Sequence, residues 1–158
     1  YNPFAFLHEI RQFYQGTIIL SGAMSTGAHV VAALPARADI ADMVTRVIAT
    51  TESRAPEDYK QMILAATAKD IVYTNAISGV NGNFLRASLE AAGLDPENLP
   101  EFNREIHLGS SEKRAWKNLW SAGQGVGAIH DVPSTAELVA RLRREYAEAI
   151  AGLNAGFG

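Results

Sequence analysis

The chain has 158 residues, 47% of them hydrophobic, with 14 basic and 17 acidic side chains and a net charge of -3. That composition suits about one soluble globular domain, and without a long lysine or arginine run it argues against a nucleic-acid footprint. Apolar runs such as Thr17-Ile18-Ile19-Leu20 are far shorter than the ~20 helical residues that cross a bilayer, so no membrane partner is expected. The chain has no cysteine, which leaves no disulfide framework, thiolate nucleophile or Cys-based metal site. His8, His29, His107 and His130 show neither HxxxH nor HExxH spacing, so no metal site is expected. The chain opens at Tyr1-Asn2-Pro3, with no initiator methionine and no signal-peptide pattern. The expectation is a piece of a longer polypeptide, any targeting signal lying outside it.

Asn2-Pro3 predicts a helix start, because Asn accepts from free N–H groups and Pro presets φ. Leu7, Ile10 and Tyr14, with Phe6 and Phe13 beside them, make an apolar stripe at helical spacing that stops at Gly16. The β-branched run from Thr17 to Leu20 suits a strand buried on both faces. After Ser21-Gly22-Ala23 a small-residue helix is predicted from Thr26 to Leu34, ended by Pro35, and Asp39 to Thr45 reads as the next strand. Helix, strand, helix and strand joined by short links suggest parallel α/β architecture.

Pro56 opens a further helix, with Glu57 and Asp58 in its positive first turn and Met62, Ile63 and Ala66 facing inward. Ile71 to Thr74 reads as a strand, and Ser78 to Asn83 as a loop by its glycines and asparagines. Leu85, Leu89 and Ala92 mark a short helix capped by Gly93; Leu94 to Ser111 reads as irregular, and a short helix is predicted to hold Trp116 and Trp120. A second glycine cluster runs from Ser121 to Gly127. Ser134-Thr135-Ala136-Glu137 fits a capping box opening a long helix, whose face is Leu138, Leu142, Tyr146 and Ile150.

Two strand ends with small residues, Leu20-Ser21-Gly22-Ala23 and Met43-Val44-Thr45, lie about twenty residues apart. In a parallel sheet both loops emerge at the carboxyl edge, where backbone N–H groups can cradle an anion. The plainer explanation is that Gly22 only allows a tight turn. Gln124 between two glycines projects toward a ligand or caps a surface turn. Tyr59, Lys60 and Tyr73 contact a substrate or fill a core edge. His8 and His29 fit structural or exposed roles, and the His130-Asp131 pair lacks a nucleophile for a triad.

Ser21-Gly22-Ala23-Met24-Ser25-Thr26-Gly27, Ala38-Asp39, Met43-Val44-Thr45-Arg46 and Ile48-Ala49-Thr50 resemble the end of an FMN-binding TIM barrel of the nitronate monooxygenase family. Glu52-Ser53, Tyr59-Lys60-Gln61, Ile71-Val72-Tyr73-Thr74, the Ser78-Gly79-Val80 loop with Gly82 to Arg86, and Trp120 to Gly127 extend the likeness over almost the whole chain.

The resemblance implies that Thr17 to Gly22 is barrel strand seven and Asp39 to Thr45 strand eight, with strands one to six in a missing amino-terminal barrel portion. Its domain boundaries are a barrel segment 1–45, an inserted α/β domain 46–121 and a closing helix segment 122–158. It implies FMN as cofactor, its phosphate held by Gly22, Ala23, Met43, Val44 and Thr45, with Gln124 near the flavin or substrate. The implied reaction is oxidation of an alkyl nitronate by O₂ to a carbonyl compound and nitrite, in a cytoplasmic enzyme able to form homo-oligomers. An FMN-dependent enoyl reductase and a non-catalytic remnant are the alternatives. The family's proton-abstracting histidine belongs to a Gly-Gly-His segment before the stretch matching Asn2-Pro3-Phe4, so no histidine here takes that role. Val44 stands where glycine is usual, as does Arg37 at the preceding helix end, and Asp42 replaces an apolar or aromatic residue. A β-branched residue at 44 is expected to weaken the phosphate site.

Overall fold

The computed structural model describes residues 2–102 and 118–156. The chain divides into two compact units, 1–53 with 132–158, and 54–131.

In the first unit, α1 spans Pro3–Ile10; Asn2 Oδ1 accepts from the Phe4 N–H at 3.0 Å and Pro occupies the first turn. β1 (Ile19–Ser21) and β2 (Ile40–Asp42) form a parallel pair in the register Ile19↔Ile40, Leu20↔Ala41 and Ser21↔Asp42. Leu20 and Ala41 pack on a core of Leu7, Ile18, Met24, Ala33 and Ala38. Alternation along a strand therefore places Ile19, Ser21, Ile40 and Asp42 on the opposite face, where Ile19 is 61% exposed and Ile40 48%.

Between the strands runs α2 (Gly27–Ala33), with Thr26 Oγ1 accepting from the His29 N–H. It packs on α6 (Thr135–Gly156) so closely that a Cβ on Gly27 would overlap the Leu142 carbonyl and the Tyr146 nitrogen. The Gly27 N–H also donates to Glu145 Oε2 at 2.7 Å. The capping box of α6 is present: Ser134 N–H donates to Glu137 Oε2 at 2.9 Å, and Glu137 N–H to Ser134 Oγ at 3.2 Å. Glu52 joins this cap by accepting from the Thr135 N–H, which holds its carboxyl below the usual range.

The second unit holds α4 (Glu57–Ala65), β3 (Ile71–Thr74), β4 (Gly82–Leu85) and α5 (Arg86–Ala91). β3 and β4 pair antiparallel, and Ile63, Leu85, Leu89, Val126 and Ile129 are its most deeply buried apolar side chains. Ser88 Oγ ties the stretch before Ser121 to α5 by donating to the Asn118 carbonyl and accepting from the Trp120 N–H.

Several boundaries differ from the expectations. The first helix ends at Ile10 rather than Gly16, because the next turn leaves the helix so that Arg11 can reach carbonyls beyond it. The strand expected from Asp39 to Thr45 is β2 and ends at Asp42; Thr45 begins a short helix α3 (Thr45–Ile48). Gly82 and Asn83 are strand rather than loop, since pairing with Tyr73 and Thr74 overrides their turn preference. Trp120 lies outside any helix, stacked on Tyr59 with ring centroids 5.0 Å apart. Ile150 is 36% exposed rather than a buried part of the α6 face. Trp116, His107 and the rest of 103–117 lie outside the described residues.

Candidate functional site

The carboxyl edge of the parallel pair is built by two sharply different turns. After Ser21, Gly22 and Ala23 both adopt left-handed backbone, with φ of 94° and 58°. A Cβ built on Gly22 meets nothing within 4 Å, so the turn faces open space. The N–H groups of Ala23 and Met24 make no hydrogen bond to a described residue. Consecutive amides in such a turn form a concave donor surface suited to an anion. Ala23 carries a conformational cost there that glycine would not, and backbone strain of this kind is concentrated at ligand-binding turns.

After β2, Val44 sits at φ -97° and ψ -60°, the right-handed helical region, 59% exposed, and precedes α3. A β-branched residue fits that conformation, so the expected weakening has no backbone cause at this position. Met43 is half-buried against the core cluster. Between the turns, Ser21 Oγ donates to Asp42 Oδ2 at 2.7 Å, a cross-strand pair at the last register position.

Beside the Gly22 turn, on the helix side of β1, an apolar cavity of about 190 Å³ is lined by residues including Phe4, Leu7, Leu20, Met24 and His29. The Ser25 N–H donates to His29 Nδ1 at 3.1 Å, so the neutral imidazole carries its proton on Nε2. His8 is exposed and meets Gln12, and His130 is exposed.

At the amino edge of the same strands the polar groups are engaged with one another. Arg11 Nε and Nη2 donate to the Arg37 carbonyl at 3.0 and 2.8 Å, Nη1 donates to the Gly16 carbonyl at 2.7 Å, and Nη2 meets Asp39 Oδ2 at 2.6 Å. Asp39 also accepts from the Ile18 N–H at 2.8 Å; that bond and then Arg11 hold its carboxyl below the ordinary value of 3.8. Arg37 has φ 74° and closes α2: its N–H donates to the Leu34 carbonyl at 2.8 Å and the Ala38 N–H to the Ala33 carbonyl at 3.1 Å. That is a Schellman turn with arginine where glycine is favoured.

Gln124 opens the 3-10 helix Gln124–Ala128 of the second unit, its side chain exposed. Tyr59 donates its hydroxyl to the Ser121 carbonyl, and burial raises its pKa above the ordinary 10.0. Lys60 is buried and Tyr73 is 69% exposed. Gly22, Ala23, Met43, Val44 and Thr45 thus belong to one strand edge of the first unit and Gln124 to the second unit. The Ser21–Asp42 pair is the feature that reading residue types missed; matching the two strands in phase would have found it. Among the described residues, no three His, Cys, Asp or Glu side chains gather as metal ligands, and no helix is long and apolar enough to cross a membrane.

The chain is similar to a nitronate monooxygenase of Paraburkholderia phytofirmans, with 31% identity over 143 residues, covering 84% of this chain and 38% of that protein. FabK of Thermotoga maritima superposes with a TM-score of 0.75 at 22% identity, over 97% of this chain and 51% of its own. A nitroalkane oxidase of Streptomyces ansochromogenes superposes with a TM-score of 0.73 at 25% identity, over 95% of this chain and 45% of its own. The chain therefore spans about half or less of the length of these relatives. The family profile of nitronate monooxygenase matches residues 3–145, and the chain belongs to that family.

Proposed function

We propose that the polypeptide carrying this chain is a flavin-dependent oxidase of alkyl nitronates, converting them with O₂ to a carbonyl compound and nitrite. In this reading β1 and β2 are the last two strands of a (β/α)8 barrel, whose ligands bind at the carboxyl edge. The supporting observation is the turn itself: two left-handed residues, two N–H groups without a partner among the described residues, and open space over Gly22. Such a cradle fits the phosphate of FMN, with Gly22 and Ala23 binding it from β1 and the Met43-Val44-Thr45 segment reaching it from β2. FMN supplies the redox chemistry when bound; these residues bind and orient it. Gln124 is proposed as a polar contact in its own right, its exposed amide making no hydrogen bond to a described residue. The base that removes the substrate's α-proton is expected outside this chain.

The remaining strands of the barrel, or a second copy of the chain, are the partners this reading requires. The first unit exposes Phe4, Phe13, Ile19, Ile40 and Val47, and an uncovered parallel pair is unstable as an open edge. The test uses the complete polypeptide: FMN titration by fluorescence quenching, then oxygen uptake with an alkyl nitronate and no nicotinamide. Saturable FMN binding with nitrite release is expected. Flavin reduction that requires NAD(P)H would move the assignment to the enoyl reductase type, and failure to bind flavin would leave a non-catalytic remnant.

A further inference from the structure

We propose that Asp42, oriented by Ser21, is a hydroxyl receptor that makes this edge selective for a phosphorylated polyol over a bare anion. The cofactor assignment it deepens is the FMN reading above, in which the polyol is the ribityl chain. Ser21 and Asp42 are the last residues of their strands, directly opposite in register, with Ser21 Oγ donating to Asp42 Oδ2 at 2.7 Å. Because Leu20 and Ala41 turn toward the helices, this pair lies on the other face, above Ile19 and Ile40. In the proposed barrel that face is the interior.

Three facts make the pair a receptor rather than a closed structural contact. Asp42 Oδ1 has no hydrogen-bond partner, and no ion pair joins Asp42 to a cation, among the described residues. Ser21 is the chain neighbour of Gly22, so a ligand phosphate seated on the Gly22–Ala23 turn brings its attached group toward this pair. A carboxylate accepts and never donates, so that group must supply donors. Inorganic phosphate near neutral pH offers only its one or two P–O–H groups, and its net charge is repelled by the carboxylate. A chain of hydroxyls supplies several, and an acidic side chain at a strand's carboxyl end serves ribose hydroxyls in the same way in dinucleotide-binding folds. The tether to Ser21 matters because it fixes which oxygen remains for the ligand.

Calorimetric titration of the complete polypeptide with FMN, riboflavin, ribose 5-phosphate and inorganic phosphate tests this without turnover. For Asp42→Ala we expect riboflavin and ribose 5-phosphate to bind about tenfold more weakly, as for loss of a charge-assisted hydrogen bond. Inorganic phosphate should bind about threefold more tightly, because a like charge is gone. Asp42→Asn, of the same shape and able to hydrogen-bond hydroxyls, should share the phosphate gain and keep most riboflavin affinity; circular dichroism confirms that both variants fold. The opposite signs for hydroxyl ligands and phosphate are the signature. Equal shifts for every ligand, or none, would overturn the receptor role while leaving FMN as cofactor. Ribose 5-phosphate showing the crossing while FMN fails to bind would keep Asp42 and remove the flavin. Binding of neither would remove both.

Discussion

The two ends of the β1–β2 pair are made from the same strands and do opposite things. At the amino edge, Arg11 donates to three carbonyl or carboxylate groups across residues 16 to 39, and Asp39 gathers the Ile18 N–H as well. At the carboxyl edge, among the described residues, the N–H groups of Ala23 and Met24 find no acceptor and Asp42 keeps an oxygen without a partner. Satisfied polar groups stabilise a fold, whereas open ones cost stability and are worth keeping only for a ligand. In the proposed barrel the amino edge would be the stabilising bottom and the carboxyl edge the ligand-binding top.

The largest expected effect follows from breaking the amino edge. Arg11→Met should lower unfolding stability by about 3 kcal/mol, since it strands several acceptors around a buried site while Asp39 remains half in water. FMN affinity of the folded fraction should be unchanged; urea titration and fluorescence quenching read the two separately. The acid limb carries the sign of the same clamp. The Asp39 carboxyl is held below 3.8 first by the Ile18 N–H and then by Arg11, so its stabilisation is present above that value and lost as pH falls through the lowered one. Asp39→Asn should therefore remove the loss of stability in that acidic window, as seen by melting temperature against pH.

Gly22→Val probes the other edge. At φ 94° a branched residue is strained by about 1–2 kcal/mol, yet nothing within 4 Å blocks it, so the fold should persist. FMN affinity should fall at least ~tenfold as one cradle contact is lost. Arg37→Gly sharpens the comparison in the stabilising direction, relieving a left-handed arginine for a gain of about 0.5–1 kcal/mol in thermal unfolding. The Schellman turn after α5 shows the favoured residue: there Gly93 has φ 79°, and the Leu94 N–H reaches the Leu89 carbonyl at 3.0 Å. The smallest effect belongs to Val44→Gly. Val44 already sits in ordinary backbone, so FMN binding by calorimetry should change by less than about twofold, with a stability cost of about 0.5–1 kcal/mol.

Local chemistry made much of this legible. Asn2-Pro3, Pro56 and the Ser134 to Glu137 box set helix starts through groups within a few residues, and Ile71 to Thr74 is a strand by its side chains alone. The turn at Gly22 is legible because a glycine after a β-branched run marks a strand end. What failed depended on distant partners. Met43-Val44-Thr45 has strand composition, but β1 turns away at Gly22 and leaves no neighbour for it. Trp120 has helical company in sequence, yet the Tyr59 ring and Ser88 hydroxyl hold it in an extended stretch. The Asp42 partnership needs the 21-residue register between strands, which no local pattern encodes.

The close packing at Gly27 also sets an order of events during synthesis. Its N–H and its missing side chain answer to Glu145, Leu142 and Tyr146, across 118 residues of chain. The unit from 54 to 131 is continuous and lies wholly inside that interval. A ribosome therefore releases all the residues of the second unit before α6 exists to cover α2. The first unit must close its α2–α6 contact across that long interval and so waits longest with apolar groups uncovered, the condition under which nascent chains draw on chaperones.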